Sequence, residues 1–118
     1  MRFLDQIVYK LYTIMSELEE MSIKKLPSTK ALIKSSELSI NLEKPICLDY
    51  YLASCNKLCK IARNGPDGDK FLFKNEDEYT SPLQSMFKIT NDSPNDTDDY
   101  ILETQNSIYI VSGLMLAG

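Results

Sequence analysis

The N-terminal segment from Arg2 to Lys25 has the clearest periodicity in the chain, and it limits most strongly how the rest can fold. Apolar residues recur there at spacings of four and three, and neither glycine nor proline interrupts them. Such spacing places them on one side of an α-helix. The central line is Leu4, Val8, Leu11, Met15 and Leu18, with Phe3, Ile7, Ile14 and Met21 beside it. We therefore predict a helix of about six turns, with an apolar sector wider than a coiled-coil seam needs.

This wide apolar sector predicts two contacts for the same helix. We expect one side to cover the protein's own sheet and the other side to meet a second copy, most simply in a dimer. The predicted oligomer interface comprises Leu4, Ile7, Val8, Leu11, Ile14, Met15 and Leu18. The uncharged C-terminal run from Gly113 to Gly118 is also expected to dock, either on the core or on another subunit, because an exposed apolar tail is unfavourable in water.

The segment from residue 26 to 53 predicts a short second helix and then extended chain. Pro27 ends the first helix, because the residue before a proline disfavours helical geometry. Ser28 or Thr29 can cap a helix that ends near Ser36, and residues 39–42 are expected to be extended. Residues 46–53 alternate between apolar and polar side chains, which favours a strand. A helix that begins at Pro45 is the alternative.

The remaining chain predicts β-strands joined by turns. Asn-Gly and Pro-Asp-Gly sequences in residues 64–69 predict a hairpin between strands 58–63 and 70–74, with Phe71 and Phe73 in the core. Residues 79–82 are expected as a loop or sheet edge, and 84–90 as a strand. Residues 91–99 contain no apolar side chain and predict an exposed loop. Residues 100–112 predict a second hairpin, covered on both faces.

Together these elements predict a single α+β domain of 118 residues. Its helical part is expected to span residues 1–36 and its mainly β part residues 37–118. The predicted architecture is a long amphipathic helix and a short helix packed on a small antiparallel β-sheet or partly open barrel of about five strands.

The residue types exclude several classes of enzyme. Histidine is absent, which removes most Ser-His-Asp and Cys-His catalysis and the commonest zinc ligand. Cys47, Cys55 and Cys59 do not supply the four ligands of structural zinc, so we expect small buried thiols. The glycines match neither phosphate-binding pattern, and the acidic loops lack the EF-hand pattern. The sequence therefore predicts no catalytic residue, no metal site and no cofactor.

The charge is unevenly distributed along the chain. Residues 1–64 contain ten Lys/Arg and seven Asp/Glu, whereas residues 65–118 contain three and ten. The acidic half repels phosphate, so direct nucleic-acid binding is not expected, but it suits a protein partner with a basic surface. No run of 18 apolar residues and no signal-peptide pattern is present, so we expect no membrane association and a cytoplasmic, reducing location.

The sequence is compatible with three functions. The leading hypothesis is a non-catalytic, self-associating binding protein that inhibits or sequesters a partner. Lysine outnumbers arginine eleven to two, a composition that indicates an AT-rich genome such as that of a low-GC bacterium, its phage or a large virus, and a viral or mobile-element origin fits this hypothesis. The alternative is a binder of a small, nucleotide-like ligand in a tyrosine-lined pocket at a subunit boundary. A thiol-dependent enzyme is the third, and it lacks a base to activate the thiol.

The surface predicted for a ligand or partner combines aromatic and polar side chains at strand ends. It comprises Tyr50, Tyr51, Arg63, Tyr79, Thr80, Ser81, Thr104, Asn106 and Tyr109. The cationic residues expected near the sheet are Arg63, Lys70, Lys74 and Lys88.

Overall fold

The computed structural model of the protein describes residues 3–21, 26–91 and 97–116. In chain order, its elements are α1 (Phe3–Met21), α2 (Thr29–Leu42), β1 (Ile46–Cys47), α3 (Tyr51–Cys55), β2 (Lys60–Arg63), β3 (Lys70–Asn75), β4 (Glu78–Tyr79), β5 (Ser85–Ile89), β6 (Asp99–Glu103), β7 (Ile108–Ser112) and a closing 3₁₀ helix (Gly113–Leu116). The predicted α+β class is confirmed. The predicted continuation of α1 through residues 22–25 lies outside the described residues.

The strands form two sheets rather than the one sheet of about five strands that we predicted. A four-stranded sheet has the order β1-β7-β6-β5, in which β1 runs parallel to β7 and the other pairs are antiparallel. A three-stranded antiparallel sheet has the order β2-β3-β4. The hairpin predicted at residues 100–112 is confirmed as β6 and β7, the two central strands of the larger sheet.

Helix α2 continues past the predicted end at Ser36. The Ser28 hydroxyl caps it by accepting from the Ala31 backbone N–H at 3.1 Å, and the helix ends before Glu43, which has a left-handed backbone (φ 55°). The prediction that residues 39–42 are extended was wrong. Ser35 and Ser36 donate to carbonyls one turn earlier, at 2.7 and 2.8 Å, so serines that disfavour a helix by propensity are accommodated on its buried, small-residue face.

The segment 46–53 is divided between the two structures that its sequence allowed. Only Ile46 and Cys47 form a strand, and α3 begins at Tyr51 rather than at Pro45. A turn separates the two, with the Tyr51 N–H donating to the Leu48 carbonyl at 3.0 Å. The Ser54 hydroxyl accepts from the Ser112 N–H at 2.7 Å, which fixes α3 against the end of β7. This long-range contact accounts for a helix that the local alternation does not show.

Two hydrophobic clusters lie on opposite faces of the larger sheet, since neighbouring residues of one strand point to opposite sides. The first contains Ile14, Ala31, Leu48, Tyr51, Cys55 and Ile110. The second contains Tyr50, Ala53, Cys59, Leu72, Leu102 and Val111. The closing 3₁₀ helix contributes Leu114 to the first cluster and Met115 to the second. The C-terminal segment is therefore docked on the chain's own core, as far as Leu116 is described.

The predicted β2–β3 hairpin is confirmed, but the prediction that Phe71 and Phe73 occupy the core was wrong. Leu72, between them, is fully buried and joins the second cluster. Phe71 and Phe73 are half-buried on the opposite face. Phe71 makes edge-to-face contacts with Phe73 and Tyr79, at centroid distances of 6.2 and 6.0 Å. The smaller sheet therefore has an aromatic row on its outer face.

Asp99 contradicts the prediction of an exposed loop through residue 99, because it is buried at the start of β6. Its carboxylate accepts from the Tyr51 hydroxyl at 3.0 Å and from the Ser28 N–H at 2.8 Å. Burial and the neighbouring Asp99 charge raise the pKa of Tyr51, so its hydroxyl remains a donor. Asp99 thus joins the start of α2, α3 and the central sheet. Residues 92–96 of the predicted loop lie outside the described residues.

Candidate interaction site

The outer face of α1 carries an apolar stripe that the rest of the described chain leaves exposed. Leu4, Val8 and Tyr12 recur every four residues and are 72%, 65% and 72% exposed. Their spacing places them one above another on the helix. Leu11, half-buried, lies beside them. We call the surface formed by Leu4, Val8, Leu11 and Tyr12 the α1 stripe.

The opposite side of α1 holds the helix to the protein. Ile14 is 3% exposed and packs in the first cluster against Ala31 and Ile110. A cleft of about 270 Å³ separates part of α1 from α2 and is lined by Gln6, Tyr9, Lys10, Ser39, Ile40 and Glu43. Helix α1 therefore has an inward apolar side and a separate outward one.

The residues of the predicted oligomer interface consequently have different surroundings. Leu4 and Val8 are exposed, Ile7 and Leu11 are half-buried, and Ile14 is committed to the chain's own core. The side chains of Met15 and Leu18 lie outside the part that the structure describes. Among the described residues of the predicted interface, Leu4, Val8 and Leu11 therefore belong to the α1 stripe, and Ile14 does not.

The predicted tyrosine-lined surface does not assemble as one pocket. Tyr50, Tyr51, Thr80 and Thr104 are buried, and the hydroxyls of the last three form hydrogen bonds within the fold. For example, the Thr80 hydroxyl accepts from the Leu72 N–H at 3.0 Å, and the Thr104 hydroxyl donates to the Ser107 carbonyl at 3.2 Å. Tyr109 is half-buried and contacts Tyr50 edge-to-face at 5.5 Å. Burial raises the pKa of Tyr50 to about 12.

The remaining predicted residues lie at the surface in separate places. Arg63 donates to the Pro66 carbonyl at 3.1 Å within the first hairpin turn, and Asn106 occupies the second. Tyr79, Thr80 and Ser81 come together, with Asn64, Phe71 and Pro82, around a cleft of about 170 Å³. This volume is below the roughly 300 Å³ at which pockets for drug-sized ligands begin.

A partly buried ion pair, which sequence reasoning missed, joins the α2–β1 connection to the larger sheet. The Lys44 ammonium donates to the Glu103 carboxylate at 2.5 Å, to the Thr104 carbonyl at 2.8 Å and to the Gln84 side chain at 3.2 Å. The Lys44 and Glu103 side chains are only 15% and 12% exposed. The Lys44 hydrogen bond lowers the pKa of Glu103 below the ordinary 4.5. Because its ammonium group donates hydrogen bonds to three groups of the fold, Lys44 stabilises the structure and does not act as a reactive amine.

The cysteines have the surroundings of structural thiols. Cys55 and Cys59 are buried and Cys47 is half-buried. Burial raises the pKa of Cys59 to about 11, whereas reactive thiolates have a lowered pKa. Among the described residues, no three Cys, Asp or Glu side chains converge closely enough to hold a metal ion.

The buried state of Cys59 predicts slow alkylation of the native protein. Near pH 8, a pKa of about 11 instead of 9 lowers the thiolate fraction about 100-fold. We expect iodoacetamide to modify Cys59 on the order of 100-fold more slowly in buffer than in urea, as followed by peptide mass spectrometry. Equal rates in the two solvents would show that Cys59 is accessible.

Comparison with known proteins places the chain in no family: no family model, no curated protein and no solved structure matches it. Within the described residues, none of the helices has the length and apolar character needed to cross a bilayer. The chain's own surfaces are therefore the basis on which its function is inferred.

Proposed function

We propose that the protein is a non-catalytic, self-associating binding protein, and that the α1 stripe is the contact between two copies. The observation that carries this proposal is the exposure of Leu4, Val8 and Tyr12 on one helix face. Contiguous exposed apolar side chains are typical of protein interaction sites. A second copy is the simplest partner, because the same stripe on both chains is self-complementary about a two-fold axis.

The size of the stripe supports a weak dimer. Leu4, Val8 and Tyr12 expose on the order of 400 Å², and the smallest specific interfaces bury about 500 Å² per partner. Leu11 and the polar side chains that flank the stripe supply the remainder. Tyrosine is enriched among the residues that dominate binding energy, which gives Tyr12 the central role. We expect a dissociation constant in the micromolar range.

A basic protein surface is the partner that the charge distribution favours for the assembled dimer. Exposed carboxylates of Asp67, Asp69, Glu76, Asp77 and Glu78 project from the turns of the smaller sheet. A dimer would present each of these turns twice, and complementary potentials accelerate association and discriminate between partners. This supports the inhibiting or sequestering role, in which the protein covers the basic surface of another protein.

Charged substitutions in the α1 stripe are expected to dissociate the dimer. In Leu4→Glu or Val8→Glu, each interface would bury two like charges, and we expect the dissociation constant to rise at least tenfold. Sedimentation equilibrium over a concentration series measures this change. Leu58→Glu is the matched control, because Leu58 is 62% exposed outside α1 and should leave the dimer unchanged.

Two results would contradict the proposal. One is a wild-type mass of 13.5 kDa, that of a single chain, at about 100 μM, well above the expected dissociation constant. The other is an equal effect of Leu4→Glu and Leu58→Glu, which would mean that added charge, and not the stripe, controls association. Circular dichroism of each variant shows whether the fold is retained.

A further inference from the structure

A pocket at the junction of α3 and the smaller sheet has three lysines and one aromatic ring among its lining residues. It has a volume of about 260 Å³ and is lined by Lys57, Leu58, Cys59, Lys60, Phe73 and Lys74. It lies at the end of the β2–β3 hairpin opposite the connecting turn. Neither the predicted ligand surface nor the α1 stripe includes this pocket.

We propose that this pocket binds a nucleotide, with its phosphates held by Lys57, Lys60 and Lys74 and its base on the ring of Phe73. This proposal is independent of self-association. Lysine is a common phosphate ligand, and aromatic rings bind nucleobases by stacking.

The backbone brings Lys57 to the pocket through an uncommon conformation. Lys57 has φ 58°, a left-handed geometry that glycine usually supplies after a helix. The turn is closed by hydrogen bonds from the Lys57 N–H to the Ser54 carbonyl at 3.2 Å and from the Leu58 N–H to the Ala53 carbonyl at 2.8 Å. In this geometry lysine is less stable than glycine by about 1 kcal/mol.

The strand register brings Lys60 beside Phe73, whereas Lys74, the residue after Phe73, lines the pocket from the opposite face of β3. Lys60 pairs with Phe73 across the hairpin, and its ammonium lies 5.8 Å from the centre of the Phe73 ring. Lys74 follows Phe73 and contacts Glu78 at 3.1 Å, in a surface pair whose side chains are 34% and 50% exposed. Such a pair contributes at most about 1 kcal/mol, so Lys74 can turn to a phosphate at little cost.

The electrostatic balance of the pocket favours an anion. Neither Lys57 nor Lys60 forms an ion pair with a residue that the structure describes. Of the three lysines, Lys74 is the one that pairs with a described carboxylate, that of Glu78. A nucleoside diphosphate carries several negative charges on one flexible group, which three lysines at a pocket rim can contact together.

A phosphate group linked to a base occurs both in free nucleotides and in single-stranded nucleic acid. The residues around the pocket favour the free nucleotide. The aromatic row continues from Phe73 to Phe71 and Tyr79, which resembles a stacking platform. However, the exposed carboxylates of Glu76, Asp77 and Glu78 lie beside that row, at the β3–β4 turn, and repel a longer phosphate chain. The pocket volume of about 260 Å³ is too small to enclose a whole nucleotide, so part of the ligand would lie outside the pocket.

Calorimetric titration with ADP tests the assignment, and the fold provides a matched control. Lys34 lies 5.8 Å from the ring centre of Phe87, the same distance as between Lys60 and Phe73, but away from the pocket. We expect Lys60→Ala and Phe73→Leu each to weaken ADP binding at least fivefold, and Lys34→Ala and Phe87→Leu to leave it unchanged. Lys57→Ala should weaken pyrophosphate and ADP alike, whereas Phe73→Leu should weaken only ADP.

Several results would overturn the proposal. The first is the absence of both binding heat and a rise in melting temperature with ADP at about 1 mM, a concentration at which a functional site should be occupied. The second is an equal loss of ADP affinity in the pocket variants and the control variants. Pyrophosphate binding as tight as ADP binding would remove the role of Phe73. Tighter binding of a thymidine oligonucleotide than of ADP would assign the surface to single strands instead. Circular dichroism confirms that each variant is folded.

Discussion

Replacement of Lys44 by methionine is expected to lower the free energy of unfolding by about 3 kcal/mol, because it leaves a partly buried carboxylate without its counter-ion. The Glu103 side chain is 12% exposed, so water replaces only part of what Lys44 supplies. The substitution also leaves the Thr104 carbonyl without the 2.8 Å hydrogen bond from the ammonium. Urea unfolding followed by circular dichroism gives the change in free energy.

Two further variants separate the ion pair from a general effect of losing a lysine. Lys74→Met removes the partner of Glu78 in an exposed pair and should cost less than about 1 kcal/mol. The double variant Lys44→Met/Glu103→Met should recover most of the stability, because it removes the unpaired charge and retains the side-chain volume. Equal losses for Lys44→Met and Lys74→Met would show that burial of the Lys44 pair adds nothing.

The same pair predicts a dependence of stability on pH. Lys44 holds the pKa of Glu103 below its ordinary value of 4.5 in the folded protein, so the unfolded chain binds a proton first. The stability contributed by ionised Glu103 is therefore complete above the unfolded pKa and is lost as pH falls through the folded one. Between about pH 5 and pH 3, the wild type should lose more stability than Glu103→Gln does, since only the wild type titrates at this position.

Those parts of the fold that depend on neighbouring residues could be predicted from the sequence. The periodicity of α1 and the turn residues before β3 act within a few positions, and both elements form as expected. Of the two contacts that the wide apolar sector of α1 predicted, the contact with the chain's own core is confirmed through Ile14, and the contact with a second copy stays a prediction. A local sequence pattern is enough to predict an element when no other local pattern in the same segment favours a different secondary structure.

The features that were missed depend on contacts between distant residues. Lys44 and Glu103 are 59 positions apart, and Tyr51 and Asp99 are 48 apart, so no spacing pattern connects them. The length of α2 depends on serine hydroxyls that donate hydrogen bonds to carbonyls one turn earlier in the same helix, and on the burial of the helix face that carries these small residues. The lysine pocket requires a left-handed Lys57, which carries no glycine or asparagine signal. Lys60 lies in the predicted strand 58–63 but was not counted among the cationic residues expected near the sheet.

The sequence also left open which face of β3 meets the core, and the answer gives the second prediction with a large expected effect on stability. Alternation shows that Leu72 lies on one face and Phe71 and Phe73 on the other, but not which face meets the core. Because Leu72 is fully buried against the second cluster, Leu72→Ala should lower the free energy of unfolding by about 3 kcal/mol, from lost burial and the cavity that remains.

Phe71→Ala is the matched control on the same strand, and it removes more atoms than Leu72→Ala does. Phe71 is only half-buried and contacts Phe73 and Tyr79 at the outer face, so we expect a loss of about 1 kcal/mol. Urea unfolding of both variants, with unchanged denaturant dependence, provides the comparison. Since a phenylalanine is the larger side chain, a smaller loss at Phe71 can only come from its position. A larger loss at Phe71 than at Leu72 would mean that β3 presents its aromatic face to the core.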